Sequence, residues 1–546
     1  MARTTGSMDR RSVMLAGAGA ALAPLVSEAQ TPDPEKAPGM RVMRNVMVPM
    51  RDGVRLATDI YLPADGGPFP VLLARTPYNK NLGLGPAGPV GLVARGYAVV
   101  MQDKRGRYAS EGFYRPEFDD GVGPRKDGYD TVEWVAAQAW CNRKVGMWGG
   151  SYLGHTTISA CMAAPPHLLS GVSTRPATDS FSQTGIFNLG ICGWNEMQGP
   201  DWLAKFTDPQ TRAQAEAELE LVKADRAKAM RTLPLIEMPY QRFLTTMWAE
   251  PLEHRDDPGF FENRTTAEKF SHVQTPILHI GGWFDPFLNN TLKHYRLGTT
   301  AAATEHARKE QRLIVGPWIH GAAVNEKVGE IAFPNQMPDY DRLMTDFQDI
   351  WLKDAPPRSY HQYPAIIYVM GANRWRGETQ WPPAAAVEKA VFLRRGGSMS
   401  FEAPGAESGD SYDSDPNHPY SGPSFAGGPR DASAALKGAN LLVYTSPPLE
   451  RDVEIVGPVG FDLYAASTGT DTDWIVELHE VLPDGRSMVM TEGAIRARFR
   501  KSRFDPEPIE PGRVERYKID LRSTEFPPIV TGLLNRRKSV STTGGT

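Results

Sequence analysis

An α/β domain built on a largely parallel sheet, followed by an all-β domain, is what three features of this chain predict. From Met40 to Gly154 strand-like and helix-like textures alternate, the pattern that builds parallel sheets. Runs such as Pro70 to Ala74 and Tyr97 to Gln102 are apolar without interruption, as strands buried on both faces are. From about Ala365 helical periodicity fades, and short β-rich stretches are separated by Gly, Pro and Asp clusters. At 546 residues the chain exceeds what one core organises. The expected division is an α/β domain over 40–365 and a sandwich or jelly-roll domain over 366–546.

The elements follow in order. Val46 to Met50 and Val54 to Leu62 are joined by Arg51-Asp52-Gly53, whose Asp-Gly pair marks a hairpin. Tyr129 to Ala139 places Val132, Val135, Ala136 and Ala139 on one helical face, with Asp127 or Asp130 as its cap. Val145 to Trp148 then reads as a strand running into Gly149-Gly150-Ser151. Helical texture dominates from about Arg175 to Phe270, most plainly over Thr211 to Leu233, and a cap inserted over about 160–270 is expected. Sheet texture resumes at Pro276 to Gly282 and Arg312 to Gly316. In the second domain the strand-like stretches are Ala365 to Met370, Leu441 to Thr445, Val453 to Tyr464, Trp474 to Val481 and Ser487 to Phe499.

Composition narrows the function. Hydrophobic residues make up 41% and charged residues 23%, and the 60 basic and 64 acidic residues leave a charge of -4. That balance points to neither nucleic acid nor an anionic membrane as partner. The cysteines are Cys141, Cys161 and Cys192, too scattered for a disulfide framework or a zinc site. They are expected to pack as small hydrophobes, and no metal or organic cofactor is expected. At the N-terminus Arg10-Arg11 precede an apolar, Gly/Ala-rich stretch from Val13 to Leu25, and Ser27-Glu28-Ala29 offers small residues for cleavage. This resembles a twin-arginine (Tat) signal over 1–29, so an exported mature protein with no membrane span is expected.

The sharpest chemical signal is Gly149-Gly150-Ser151-Tyr152-Leu153-Gly154, after a strand and before a helix. Such a turn exposes the serine hydroxyl and sets the next backbone N–H, that of Tyr152, beside a developing oxyanion. It is a GxSYxG variant, the second glycine falling three residues past the serine. A serine hydroxyl needs a base, and the base a carboxylate to orient it. In the α/β-hydrolase fold the order is serine, acid, histidine, each following a strand. Asp285 follows the strand-like Ile277 to Gly282, and His320 follows Leu313 to Val315, so both are candidates among 11 histidines and many acids. His279 lies inside an apolar run and reads as a core histidine, and His155 is too near Ser151 in sequence to curl back.

Six blocks carry a family resemblance: Pro77-Tyr78; Asp103-Lys104-Arg105-Gly106 with Ser110-Glu111-Gly112; Asp127-Gly128-Tyr129-Asp130 through Trp134; GxSYxG; Gly282-Trp283-Phe284-Asp285; and Gly316-Pro317-Trp318-Ile319-His320. In this order they resemble the CocE/NonD hydrolases, which include cocaine esterases, α-amino acid ester hydrolases, glutaryl-cephalosporin acylases and, more remotely, X-Pro dipeptidyl-peptidases. The resemblance covers about Met40 to Leu521. It implies an α/β-hydrolase domain with a helical cap and a C-terminal jelly roll. It also implies Ser151 as nucleophile, Asp285 as triad acid, His320 as base, and an oxyanion hole from the Tyr78 hydroxyl and the Tyr152 N–H.

Other expectations rest on the remaining residues of these blocks. Asp103, Arg105 and Glu111 have the charges for an ion-pair network supporting loops near Ser151. Trp283 and Trp318 either wall an acyl pocket or pack in the core. The α-amino ester branch grips its substrate's ammonium with carboxylates that have no evident counterpart here, and Leu153 is apolar. Beyond Leu521 the chain runs through Phe526-Pro527-Pro528 and Asn535-Arg536-Arg537-Lys538 to Thr and Gly residues, so truncated or replaced last strands and an exposed sheet edge are expected. The functional expectation is a serine hydrolase acting on a small acyl ester. An amidase or peptidase is the alternative within the class, and an inactive secreted binding protein the alternative outside it.

Overall fold

The computed structural model describes residues 39–526, apart from 83–87, 122, 179–185, 187–188, 258–259, 261–266, 322–325, 337–339, 416, 438 and 451–452, together with 535–543. The signal-like segment 1–29 lies outside the described residues. Eight strands make the body of the main sheet: β1 (Met40–Pro49), β2 (Arg55–Pro63), β3 (Phe69–Thr76), β4 (Ala98–Asp103), β5 (Cys141–Gly150), β6 (Leu168–Thr174), β7 (Ile277–Phe284) and β8 (Arg312–Ile319). Their order is β1-β2-β4-β3-β5-β6-β7-β8, and two further strands, Ala365–Val369 and Arg374–Glu378, bring the sheet to ten. β1 pairs antiparallel with β2, and β2 antiparallel with β4. From β4 to β8 every pairing is parallel.

The sheet is apolar on both faces because helices cover both. Along β3, Val71 and Leu73 turn to one side, where Val132, Val135, Ile158 and Cys161 pack from the helices Asp127–Ala136 and Tyr152–Ala163. Leu72 and Ala74 turn to the other, against Leu92 of Gly88–Ala94 and Leu343 and Phe347 of Tyr340–Leu352. This period of two is what strand geometry imposes.

Several local expectations are corrected. Neither Asp127 nor Asp130 caps the helix Asp127–Ala136; Lys126 stands at the cap in a left-handed conformation with no side-chain bond. Arginines draw both carboxylates away: Arg105 holds Asp127 at 2.7 Å and Arg51 holds Asp130 at 2.7 Å. The helical insertion begins later than 160, because Tyr152–Ala163 and β6 belong to the main domain. The division expected at 365/366 falls inside a strand. Ala365–Val369 is buried throughout and pairs parallel with β8, so this apolar run extends the first sheet.

Within the insertion, Ile191–Phe206 and Pro209–Ala224 are the longest helices. Asp208 caps the second by accepting from the N–H groups of Gln210 (2.9 Å) and Thr211 (3.0 Å), with proline at the first turn, where no donor is needed. The helix expected over Thr211 to Leu233 stops at Ala224, because Asp225 leaves helical geometry and caps the short turn Arg226–Ala229 instead. Trp202, Leu203, Ala215, Val222, Tyr240 and Trp248 give this cap its own core.

The C-terminal region is β-rich. Its larger sheet runs Phe392–Arg394, Ser398–Ser400, Leu442–Thr445, Asn535–Thr543, Asp473–Val481, Ser487–Arg496, while Ile455–Ala465 pairs with Glu515–Phe526. The expected exposed sheet edge is overturned. Asn535–Thr543 enters the sheet between Leu442–Thr445 and Asp473–Val481, antiparallel to both, so no sheet edge is left there. Backbone ladders on both sides hold a strand that carries few apolar residues. One buried cluster joins the two regions, with Trp283, Phe284 and Leu288 packed among Phe461, Trp474, Met490 and Tyr517.

Candidate active site

The parallel strands all end on one side of the sheet, and strand order reverses about β3, the place at which α/β sheets bind their ligands. Tyr78 lies just past β3, Ser151 follows β5, Asp285 follows β7 and His320 follows β8. Residues far apart in the chain therefore converge because each sits on the same end of a neighbouring strand.

Ser151 occupies φ 57°, ψ -120°, a conformation non-glycine residues avoid. Its N–H donates to Thr174 O (2.9 Å) and its own carbonyl accepts from His155 N–H (3.1 Å), so β6 and the first turn of the helix hold the strain. The turn is tight enough to require glycine at 149: a Cβ there would stand 2.2 Å from Leu153 Cβ and 2.7 Å from its carbonyl carbon. Gly149→Ala is expected to cost about 1–3 kcal/mol by overpacking, read as a lower urea midpoint with an unchanged slope.

His320 Nε2 lies 2.9 Å from Ser151 Oγ, and His320 Nδ1 lies 3.0 Å from Asp285 Oδ2. Asp285 is fully buried, and its Oδ1 accepts from Phe287 N–H at 2.6 Å. Carboxylate oxygens here only accept, which puts the imidazole proton on Nδ1 and leaves Nε2 free to take the serine proton. The Phe287 ring meets the imidazole edge-on at 4.9 Å. Arg175 secures the His320 loop, donating from Nη1 to Ile319 O (2.6 Å) and Gly321 O (2.8 Å), with Nε 4.0 Å from Asp285.

Across Ser151 stands Tyr78. Burial pushes its phenol above the usual pKa, against the opposing pull of hydrogen bonds with Trp194, the Ser151 side chain and the Tyr152 backbone. Trp194 Nε1–H donates to the phenol oxygen at 3.0 Å. Arg107, fully buried, ties this corner to the cap: Nε donates to Pro77 O (3.0 Å) and Nη2 to Gln198 Oε1 (2.7 Å). Tyr152 splits its roles between backbone and ring. Its ring stacks on Trp194 (6.0 Å, 7°), and its hydroxyl accepts from Lys104 Nζ (2.6 Å) and Glu117 N–H (2.7 Å).

Beneath the helix that follows Ser151 lies a buried ion cluster. Lys104 Nζ is 2.6 Å from Asp120, Arg75 Nη1 is 3.1 Å from the same carboxylate, and His155 is 3.6 Å away. Burial alone would raise Asp120, but the Lys104 and Arg75 charges and a hydrogen bond from His155 outweigh it and hold its pKa below the usual carboxylate range. The expected network of Asp103, Arg105 and Glu111 is instead three separate pairings. Arg105 bridges Asp52 (2.8 Å) and Asp127 (2.7 Å), Asp103 faces Lys80 (3.7 Å), and Glu111 pairs with Arg55 (2.5 Å). Sequence offers charges but not directions, and these side chains point to different neighbours.

His279 is a core residue, bonded through Nε2 to Gln311 at 2.8 Å, with burial lowering its pKa to about 4. Trp283 packs in the core and donates to Tyr368 O (2.9 Å), while Trp318 packs against Trp375 with centroids 5.7 Å apart. The three cysteines are free and buried. Among the described residues no cluster suited to a metal ion occurs. Trp194, Phe287, Arg175 and Arg107 escape sequence reasoning. For Arg175, a position directly after an apolar strand end was the only available hint.

Comparison with known proteins agrees with this architecture. Residues 52–322 match the family described as X-Pro dipeptidyl-peptidase (S15 family), and residues 361–526 match the X-Pro dipeptidyl-peptidase C-terminal non-catalytic domain. The chain is 32% identical over 517 residues to cocaine esterase of Rhodococcus sp. (strain MB1 Bresler), covering 88% of each chain. Among solved structures, an aminopeptidase from a marine sediment Thaumarchaeota archaeon superposes with a TM-score of 0.76 at 24% identity, over 95% of this chain and 92% of that one. An α-amino acid ester hydrolase superposes with a TM-score of 0.73 at 24% identity, over 94% and 92%. The chain belongs to the CocE/NonD family of serine hydrolases.

Proposed function

We propose that this enzyme cleaves esters of small carboxylic acids through an acyl-enzyme on Ser151. The observation that carries the reading is the continuous hydrogen-bonded chain Ser151–His320–Asp285, with links of 2.9 and 3.0 Å at the strand ends. In the first step the Ser151 oxygen bonds to the acyl carbon as His320 Nε2 takes its proton. The oxyanion forms between the Tyr78 hydroxyl and the Tyr152 N–H, donors fixed before the reaction begins. Collapse breaks the bond to the alkoxy oxygen, which leaves with the proton from His320. Water then gives a proton to His320 as its oxygen attacks the acyl carbon, and release of the acid returns that proton to Ser151.

Esters are favoured by the relationship to cocaine esterase across both regions of the chain. The S15 family description supports a second reading, cleavage of an amide or peptide bond at the same serine. Export of the mature enzyme is proposed on Arg10-Arg11 and the apolar stretch after them. Among the described residues no helix is long and apolar enough to cross a membrane.

A fluorophosphonate probe followed by peptide mapping tests the first reading, with a single adduct expected on Ser151. Matched p-nitrophenyl esters and anilides of the same acids test the second, the ester being expected to show the higher kcat/KM relative to its uncatalysed rate. Absence of an adduct from folded protein would favour a binding protein instead. Preference for the anilides would favour the peptidase reading.

A further inference from the structure

Tyr78, a donor of the proposed oxyanion hole, is itself held by a residue of the cap. A phenol carries one hydrogen and two acceptor positions, and its hydrogen rotates to whichever acceptor is available. An oxyanion donor must not rotate, because a dipole reoriented during the reaction gives up part of its stabilisation. At Tyr78 an indole restricts this freedom. Trp194 Nε1–H, which can only donate, points at the phenol oxygen from 3.0 Å and occupies one acceptor position. The Ser151 side chain is within hydrogen-bonding range of the phenol. With the indole donor on one acceptor position, the phenol turns its own hydrogen away from Trp194 and toward Ser151, where the acyl oxygen arrives.

Trp194 is well held for this task. It lies in the cap helix Ile191–Phe206, packs against the cap core, and stacks in parallel on Tyr152, whose backbone supplies the other donor. The same helix is fastened to the Tyr78 corner through Gln198, which Arg107 grips while also holding Pro77 O. We infer that Trp194 is a positioning residue that orients the Tyr78 hydroxyl toward the oxyanion and makes the cap helix a working part of the hydrolytic centre. The indole N–H also polarises the phenol and strengthens its outgoing hydrogen bond.

This inference rests on the reading of Tyr78 as an oxyanion donor, and the experiment separates the two. Trp194→Phe keeps an aromatic ring against Tyr152 and removes the N–H together with part of the indole's volume, a loss that the control below shares. It is expected to lower kcat about 3- to 10-fold while KM for a p-nitrophenyl ester stays within about twofold. Tyr78→Phe is expected to lower kcat about 10²- to 10³-fold. In the Tyr78→Phe background, Trp194→Phe should add no further loss. Affinity for phenylboronic acid, which forms a tetrahedral adduct on serine, should fall with kcat in the single variant. Trp202→Phe is the control, removing an indole N–H that serves Thr246 in the same cap, and it should change neither quantity.

Equal losses from Trp194→Phe in both backgrounds would overturn the inference and leave Tyr78 in place, as would a rise in KM with kcat unchanged, or a like loss from the control. A Tyr78→Phe enzyme of full activity would remove the reading of Tyr78, and the role of Trp194 with it.

Discussion

Replacing Ser151 with alanine is expected to lower kcat for a p-nitrophenyl ester about 10⁶-fold, equivalent to about 8 kcal/mol of transition-state stabilisation. The size follows from what the hydroxyl does: without it no acyl-enzyme forms, and His320 has no proton to take. What remains is the proposed oxyanion hole and the bound geometry, which can assist direct attack by water only modestly. The fold should not register the change. Alanine keeps the Cβ that serine already places at φ 57°, and the bonds to Thr174 and His155 are made by backbone. The thermal midpoint should therefore match the parent while fluorophosphonate labelling disappears. A variant retaining turnover within about 100-fold of the parent would move the nucleophile elsewhere.

The site was more legible in the sequence than its surroundings, for a physical reason. A nucleophile turn needs small residues at fixed spacing, and a base must stand just past a strand, so Ser151, Asp285 and His320 leave local marks. Trp194 leaves none. Its partner Tyr78 is more than a hundred residues away, and only the folded cap brings the two rings together. Arg175 and Arg107 act through backbone carbonyls, acceptors that every residue offers and no pattern reveals. The apolar run at Ala365–Val369 marks a strand but not its sheet, since continuity of burial reports two covered faces and not which neighbour lies alongside. Asn535–Thr543 shows the converse failure. Periodicity detects strands by their side chains, and this one is specified by two flanking ladders of backbone hydrogen bonds.

Asp285→Asn, nearly isosteric, is expected to lower kcat about 10⁴-fold. The reasoning turns on which end of the amide faces the imidazole. Oδ1 of Asp285 accepts from Phe287 N–H at 2.6 Å, and this backbone donor is fixed by the turn. Asparagine must present its carbonyl oxygen there, which leaves its NH₂ group facing His320 Nδ1. An N–H facing Nδ1 demands a bare nitrogen, so the imidazole proton moves to Nε2. That nitrogen then donates toward Ser151 instead of accepting from it, and the base is lost although every heavy atom stays in place. Arg175 would keep its bonds to Ile319 and Gly321, so the His320 loop should hold and the thermal midpoint should shift little. A loss in kcat with KM nearly unchanged would mark a tautomer effect. Activity within about tenfold of the parent would show that the carboxylate neither sets the proton's place nor stabilises the imidazolium, and the relay would no longer account for the reaction.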